Sequence, residues 1–482
     1  MFGALIGVVC AVLLLAVLSN RVGDRVGVPA PAFFLVGAAV ASDVVPSLAP
    51  HSIESVQRVV TVALVAILFN GGLEMGWHRF RGNAGAIAWV GVAGTFVTAG
   101  ALALAAHLIF GFDWQLALLI GTALAPTDPA VVFSVLGRRV ISGRSGTILE
   151  GESGANDPVG IALMVALITA TGADAGNPVL TVLEEFGLQM VVGAAVGVLG
   201  GRAMIWVLRR QLPSEGLYVI RSLAFVGLVY GVATVARGSG FLAVFLAGIV
   251  VGEARAPYKR EVERFHTGLA SLGEIVAFTV LGLTVNLRTL VDGDAWIIGL
   301  VLAVLMAFVV RPVLVGLVLW PVRLARNERL FVLWAGLKGA VPVLLGTYIL
   351  TSASHDQVLA YDIVFVVVLF SVLVQGGLVP VVASRLKLPV RVRELEPYAL
   401  GLRFRDEPHG LHRFTVASGA AADGCRLDAL TLGENVWVSM VGREGALVQV
   451  RGETELQAGD EVLVLADPQD AGLVQRLFTQ PV

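Results

Sequence analysis

Apolar residues fall in long blocks between charged or Pro/Gly-rich breaks, many of them near the roughly 20 residues that cross a bilayer as a helix. Thirteen blocks follow one another, at 2–18, 29–45, 57–76, 84–110, 114–137, 148–171, 179–208, 217–236, 240–252, 265–287, 295–320, 330–350 and 361–384. Each predicts a transmembrane helix, so the fold class is an all-α polytopic membrane protein. The block at 240–252 is too short to stand without its neighbours. The first block is expected to be a retained span, not a cleaved signal: Met1 and Phe2 offer no basic start, and Arg21 and Arg25 follow it. Past Pro389 and Pro397 the pattern changes. Strand-like runs at 412–417, 436–441, 446–450 and 461–466 are separated by turns such as Gly459-Asp460, and an amphipathic helix is predicted from Pro468 to Phe478. The predicted organisation is a transmembrane domain over 1–385, a linker over 386–397 and a small cytoplasmic α+β domain over 398–482.

Composition sharpens this picture. Of 482 residues, 56% are hydrophobic and 15% charged, against about a quarter charged in soluble domains, which excludes a soluble enzyme with a large core. The net charge of −2 averages two unlike parts: residues 1–397 hold 27 Lys/Arg and 24 Asp/Glu, residues 398–482 hold 7 and 12. Neither part is a basic domain, so nucleic acid is not an expected partner. Cys10 and Cys425 make no disulfide framework, and the seven histidines show no ligand spacing, so neither a metal nor another cofactor is expected. Loops after odd-numbered spans, with the segment after the last span, carry twenty Lys/Arg; loops after even-numbered spans carry two, Arg237 and Arg288. By the positive-inside rule the N-terminus lies outside and the tail is cytoplasmic.

An ionisable side chain inside a span costs about 3 kcal/mol or more at the centre, so such residues point to function. The fifth block contains Ala125-Pro126-Thr127-Asp128-Pro129. Its prolines remove two backbone donors and free carbonyls. That is either a simple kink or a discontinuous helix lining a cavity, and the Asp favours the second. The sixth block opens with Gly151-Glu152-Ser153-Gly154-Ala155-Asn156-Asp157-Pro158. At 100° per residue Ser153 and Asp157 share one face, and Glu152 and Asn156 a neighbouring one. Arg311, deep in the eleventh block, needs an anionic partner. Glu152 is the candidate, which leaves Asp157 facing a wet cavity; the alternative is one inert cluster of all three charges.

The twelfth block contains Gly336-Leu337-Lys338-Gly339-Ala340-Val341-Pro342, again the chemistry of an interruption. Two interrupted segments seven spans apart are where inverted repeats of six spans, joined by one extra helix, would place equivalent elements. If these two helices cross, Asp128 and Lys338 carry the charges that offset the positive N-terminal and negative C-terminal helix ends. Asn70 and Glu74 could touch a cytoplasmic funnel, though Glu74 near a span end could simply be solvated. Glu274 has no obvious partner.

Taken together, these residues resemble the NhaP-type branch of the monovalent cation/proton antiporters, over essentially the whole chain. The resemblance implies a core bundle of spans four to six and eleven to thirteen, a dimerisation domain from the rest, and a homodimer in the bacterial plasma membrane that works by alternating access. It makes Asp157 the ion- and proton-carrying carboxylate, with Ser153 and the Thr127 carbonyl as further ligands and Asn156 shaping the site. Glu152 and Arg311 become a structural pair. Lys338 stands where such proteins more often have Arg, and Asn70 where they often have an acid. The tail is similar to the C-terminal subdomain of RCK regulatory domains through Leu427 to Gly433, Val436 to Arg443, Leu456 to Asp460 and the Val462 to Ala466 strand. In relatives such modules regulate potassium flux and can bind a small ligand, cyclic dinucleotides included; a passive dimerisation module is the alternative. This tail, and Pro158 after Asn156-Asp157, favour K+ over Na+.

Proton and cation competing for one carboxylate, Asp157, give obligatory exchange. The Asn156-Asp157 pair offers one ionisable group, so electroneutral one-for-one exchange is expected. An RCK-gated potassium channel would need a filter of the Thr-Val-Gly-Tyr-Gly type, which the chain lacks. An intramembrane aspartyl protease using Asp128 and Asp157 would leave the twelfth-span break and Lys338 without a role.

Overall fold

The structure, a computed structural model, describes residue 14 and residues 29–482 apart from 51, 137–138, 142–143, 171–176, 255, 353–355, 389, 393–409, 431, 433–435, 444–445, 467–469 and 481–482. The predicted first span, 2–18, therefore lies outside the described residues except for Leu14. The chain divides into two compact units, Met1–Glu396 and Pro397–Val482.

In the first unit the elements are α1 (Ala30–Val44), α2 (Ile53–Phe110), α3 (Trp114–Ala123), α4 (Pro129–Leu136), β1 (Arg139–Ile141), α5 (Arg144–Ala170), α6 (Pro178–Leu208), α7 (Glu215–Val235) and α8 (Gly240–Gly252). They continue with α9 (Lys259–Gly282), α10 (Leu287–Asp292), α11 (Ala295–Val318), α12 (Arg326–Trp334), α13 (Ala340–Leu350), α14 (Gln357–Gly376), α15 (Val379–Arg385) and β2 (Val390–Val392). Among the described residues, seven helices are long and apolar enough to cross a membrane: α2, α5, α6, α7, α9, α11 and α14. Shorter apolar helices are α1, α3, α8 and α13.

Local chemistry sets many of the ends. Asp113 Oδ1 accepts from the Leu116 amide at 3.0 Å to start α3, and Asn177 Oδ1 accepts from Val179 and Leu180 to start α6; each satisfies a donor the first helical turn leaves open. The third and fourth blocks differ from expectation. They form one run, α2, whose only non-helical residue is Gly76 at φ 63°. Glycine reaches that region without a Cβ clash, so the chain bends there without an intervening loop. Two spans also carry π-helical stretches, Met306–Val315 in α11 and Ser371–Gly376 in α14.

The helices pack as a contiguous bundle. α8 lies against α2 and α6, α9 against α1 and α2, and α11 against α14. α3 and α13 touch each other, and both touch α5. Within the segment expected as a linker, β2 pairs antiparallel with β1, with Val140 opposite Arg391.

The second unit contains β3 (Leu411–Thr415), β4 (Val436–Arg443), β5 (Ala446–Val448), β6 (Glu461–Ala466) and α16 (Ala471–Thr479). Its four strands form an antiparallel sheet in the order β3-β6-β4-β5. Val462, Val464 and Ala466 of β6 alternate inward and meet Val441, Leu456, Val474 and Phe478 in a small core. This period-2 pattern is that of a sheet with one covered face. Asp460, just before β6, is buried and bidentate with Arg443 at 2.8 Å.

Candidate functional site

Both predicted interruptions are breaks in the structure. α3 stops at Ala123, Pro126–Asp128 belong to no helix or strand, and α4 starts at Pro129. Pro126 and Pro129 cannot donate backbone hydrogen bonds, and proline is well placed at a first helical position. In the twelfth span α12 ends at Trp334 and α13 begins at Ala340. The two breaks meet, with the Asp128 amide donating to the Leu337 carbonyl at 2.8 Å.

Helix ends at such a crossing leave carbonyls that water would satisfy at a surface. Here side chains do it. Lys338, 0% exposed, donates from Nζ to the Ala125 and Pro126 carbonyls, both at 2.9 Å, beyond the end of α3. Arg311, 1% exposed, donates from Nε to the Leu333 carbonyl at 3.0 Å and from Nη2 to the Val332 carbonyl at 3.3 Å, at the end of α12. Gln375 Nε2 donates to the Trp334 carbonyl at 2.7 Å, and Ser371 Oγ accepts from the Lys338 amide at 2.9 Å. Cations thus sit at the negative ends of two helices. Asp128 lies against Gly339, the residue before α13, so its carboxylate is beside a positive end. A methyl group on Gly336 would overlap the Arg311 guanidinium, and one on Gly339 would overlap Asp128.

α5 brings the remaining site residues to this crossing. Asn156 Nδ2 donates to Thr127 Oγ1 at 2.7 Å, and Asn156 Oδ1 accepts from the Thr127 amide at 3.3 Å. Thr127 Oγ1 and Ser153 Oγ are 3.2 Å apart. Thr127 is therefore held from two sides by α5. Asn156 joins Ser153 here, although helical spacing alone put it on the face of Glu152. Glu152 turns away: its Oε1 lies 3.1 Å from Arg311 Nη2, with both side chains buried. Asp157 is 8% exposed, and its Oδ1 is buried with no hydrogen-bond partner among the described residues. Asp128 and Lys338 are charged groups within electrostatic reach of it.

Of the weaker sequence candidates, Asn70 is buried and bridges two helices. Its Nδ2 donates to Glu74 at 3.0 Å, and its Oδ1 accepts from Thr267 of α9 at 3.2 Å. Glu74 itself is exposed. Glu274 is half-buried, and its Oε1 has no partner among the described residues. Sequence reading missed Ser371 and Gln375. The signal was present, as two polar residues one helical turn apart inside an apolar span.

The carbonyl, hydroxyl and carboxylate oxygens gathered here are hard donors of the kind that replace water around a small cation. The family described as "Sodium/hydrogen exchanger, transmembrane" matches residues 8–385. The chain belongs to the sodium/hydrogen exchanger family. It is a multi-pass membrane protein and a cation/proton antiporter. Its tail matches the TrkA-C domain over residues 411–479. The chain is 34% identical to the K(+)/H(+) antiporter NhaP of Alkalimonas amylolytica over 388 residues, 80% of this chain and 67% of that one. It is 29% identical to the K(+)/H(+) antiporter NhaP2 of Shewanella sp. (strain MR-4) over 474 residues, covering 96% of this chain and 81% of that one. It is similar in fold to the sodium proton antiporter MjNhaP1 from Methanocaldococcus jannaschii, with a TM-score of 0.66, 20% identity, and coverage of 78% of this chain and 99% of that one.

Proposed function

We propose that this antiporter exchanges K+ for H+ by alternating access, with cation and proton competing for Asp157. The observation that carries this reading is a buried carboxylate beside two crossing helix breaks, with one oxygen unpartnered by the described residues. A carboxylate removed from water is costly to leave charged and uncompensated. It therefore takes up either a proton or a cation, and the loaded states move while the empty charged state does not. Ser153 and the Thr127 carbonyl would complete the cation's shell, while Asn156 holds the Thr127 segment in place. Asn156 does not ionise, which supports one proton per cation and electroneutral exchange. Asp128 and Lys338 offset the helix ends. Glu152 and Arg311 tie α5 to α11 and α12.

Potassium is favoured because the relative named a K(+)/H(+) antiporter aligns over 96% of the chain, tail included. Sodium is the second reading, supported by 26% identity over 335 residues to the Na(+)/H(+) antiporter NhaH of Halobacillus dabanensis. The loop charges support an N-terminus outside and a cytoplasmic tail. The pairing of β1 with β2 fits that topology, since both follow odd-numbered predicted spans. The tail would regulate exchange, with a homodimer as the working unit and a small ligand, such as a cyclic dinucleotide, as the effector.

The test is transport by the purified chain in acid-loaded liposomes. Added K+ is expected to alkalinise the lumen, and Asp157→Asn to abolish the response while the protein still folds. Retained exchange in the variant would contradict the assignment. Equal responses to K+ and Na+ would widen the substrate class.

A further inference from the structure

α14 supplies no ion ligand in the reading above, yet it packs against α3, α4 and α13, three of the four half-helices at the crossing. Its π-helical stretch, Ser371–Gly376, carries two polar side chains one turn apart, Ser371 and Gln375, both fully buried. Both are spent on the break in the twelfth span. Gln375 Nε2 donates to the Trp334 carbonyl at 2.7 Å, where the break begins. Ser371 Oγ accepts from the Lys338 amide at 2.9 Å, close to where it ends. The two side chains are also joined, with Ser371 Oγ donating to Gln375 Oε1 at 3.1 Å. A hydroxyl has a single proton. Committing it to Gln375 leaves the oxygen's lone pairs for the Lys338 amide, so Gln375 sets which way the hydroxyl faces.

The segment held in this way holds the other break in turn. The Leu337 carbonyl takes the Asp128 amide at 2.8 Å, and Lys338 Nζ reaches the Ala125 and Pro126 carbonyls, both at 2.9 Å. Residues 125–128 are therefore fixed by two consecutive residues, Leu337 and Lys338, whose own place is set from α14. Thr127 lies inside that stretch. A buried amide left without an acceptor is costly. The Lys338 backbone would shift to find one, and both contacts with residues 125–128 would shift with it.

We infer that Ser371 and Gln375 are positioning residues of the exchange site, which act through Lys338 to set where the Thr127 carbonyl stands relative to Asp157. This rests on the reading of Asp157 and the Thr127 carbonyl as cation ligands. Neither Ser371 nor Gln375 is itself a ligand. The pair governs how well the cation is held and leaves the proton-carrying group in place.

The experiment measures exchange in liposomes against K+ concentration for the wild type, Ser371→Thr, Ser371→Cys, Ser371→Ala, Gln375→Met and Asp157→Asn. A hydroxyl oxygen accepts well, a thiol sulfur weakly and a methyl group not at all. The KM for K+ is therefore expected to rise in the order Thr, Cys, Ala, with the Thr variant close to wild type. Ser371→Ala is expected to raise KM about three- to tenfold, with a maximal rate per folded protein within about threefold of wild type. Gln375→Met releases the hydroxyl proton and should raise KM in the same direction; it reads the same relay if Ser371→Ala fails to fold. A KM kept in both Ser371→Ala and Gln375→Met, with only yield or maximal rate falling, makes the pair a packing feature and overturns the positioning role. Equal KM values in the Thr and Ala variants overturn it too, because the hydroxyl would then not matter. Exchange that survives in Asp157→Asn overturns the site reading instead, so the two failures are told apart.

Discussion

Arg311 and Lys338 perform the same physical task on two different helices. Each is fully buried, and each donates to two carbonyls at or just beyond a helix end. Burying an isolated cation is prohibitive unless its donors are used and its charge is offset. Here the carbonyl ends supply part of that offset, and for Arg311 Glu152 supplies the rest. The consequence is an asymmetry between the partners of one ion pair. Glu152→Gln removes a charge but leaves Arg311 its two carbonyls. Arg311→Ala strands Glu152 and both carbonyls in the bundle. Arg311→Ala is expected to lose about 3–5 kcal/mol of stability, and Glu152→Gln clearly less, as read from thermal unfolding of the purified protein. Equal losses would mean that the pair, and not the helix end, is what Arg311 serves. How far this was readable depends on the residue. That Arg311 needs an anion follows from one charge in an apolar block. That Lys338 reaches Ala125 does not, because the contact joins positions 213 apart and nothing local encodes it.

At the scale of elements, the site is a crossing of two broken spans clamped by a third helix. Pro126, Pro129, Gly336 and Gly339 mark the breaks, and those marks are legible because Pro and Gly act on their own backbone. The crossing also depends on close approach. Gly339→Ala would press a methyl group on Asp128. Overpacking of this kind costs about 1–3 kcal/mol, so the variant is expected to melt earlier and to exchange poorly; wild-type melting and rate would argue that the crossing is loose. The π-helical stretches were not legible, since they carry no composition signal beyond Pro312. They matter because Arg311, Ser371 and Gln375 lie within them and all serve the break between α12 and α13. Inserted π turns re-aim side chains in an otherwise regular helix and recur at functional sites. The bend at Gly76 falls where the third predicted block ends, but nothing in the sequence marked it as a bend inside one helical run in place of a loop.

For the whole molecule, the change from apolar blocks to alternating strands located the tail domain, and the sheet follows the runs seen in the sequence. The tail carries its own pH-sensitive lock. Asp460's carboxyl is held below the usual carboxylate range, chiefly by the Arg443 guanidinium and also by the Gln457 amide. Because the folded value is depressed, this stabilisation is complete above the unfolded value near 4 and is lost as pH falls through the folded one. Asp460→Asn is therefore expected to speed amide exchange across residues 457–466 at neutral pH, with the difference from wild type shrinking below about pH 4. An equal difference at both pH values would place the effect in packing. The transmembrane unit contains every residue assigned to exchange, so a chain cut at Pro397 is expected to keep exchange in liposomes, and loss of exchange would contradict that assignment.

In the proposed reaction one carboxylate is shared by two ions, and proton release on cation binding tests the sharing most directly. The purified protein, held in weak buffer where Asp157 is protonated, is titrated with K+ while pH and bound cation are followed together. About one proton released per cation bound, with both signals lost in Asp157→Asn, is the expected result. Cation binding without proton release, or release that persists in the variant, would contradict a shared site.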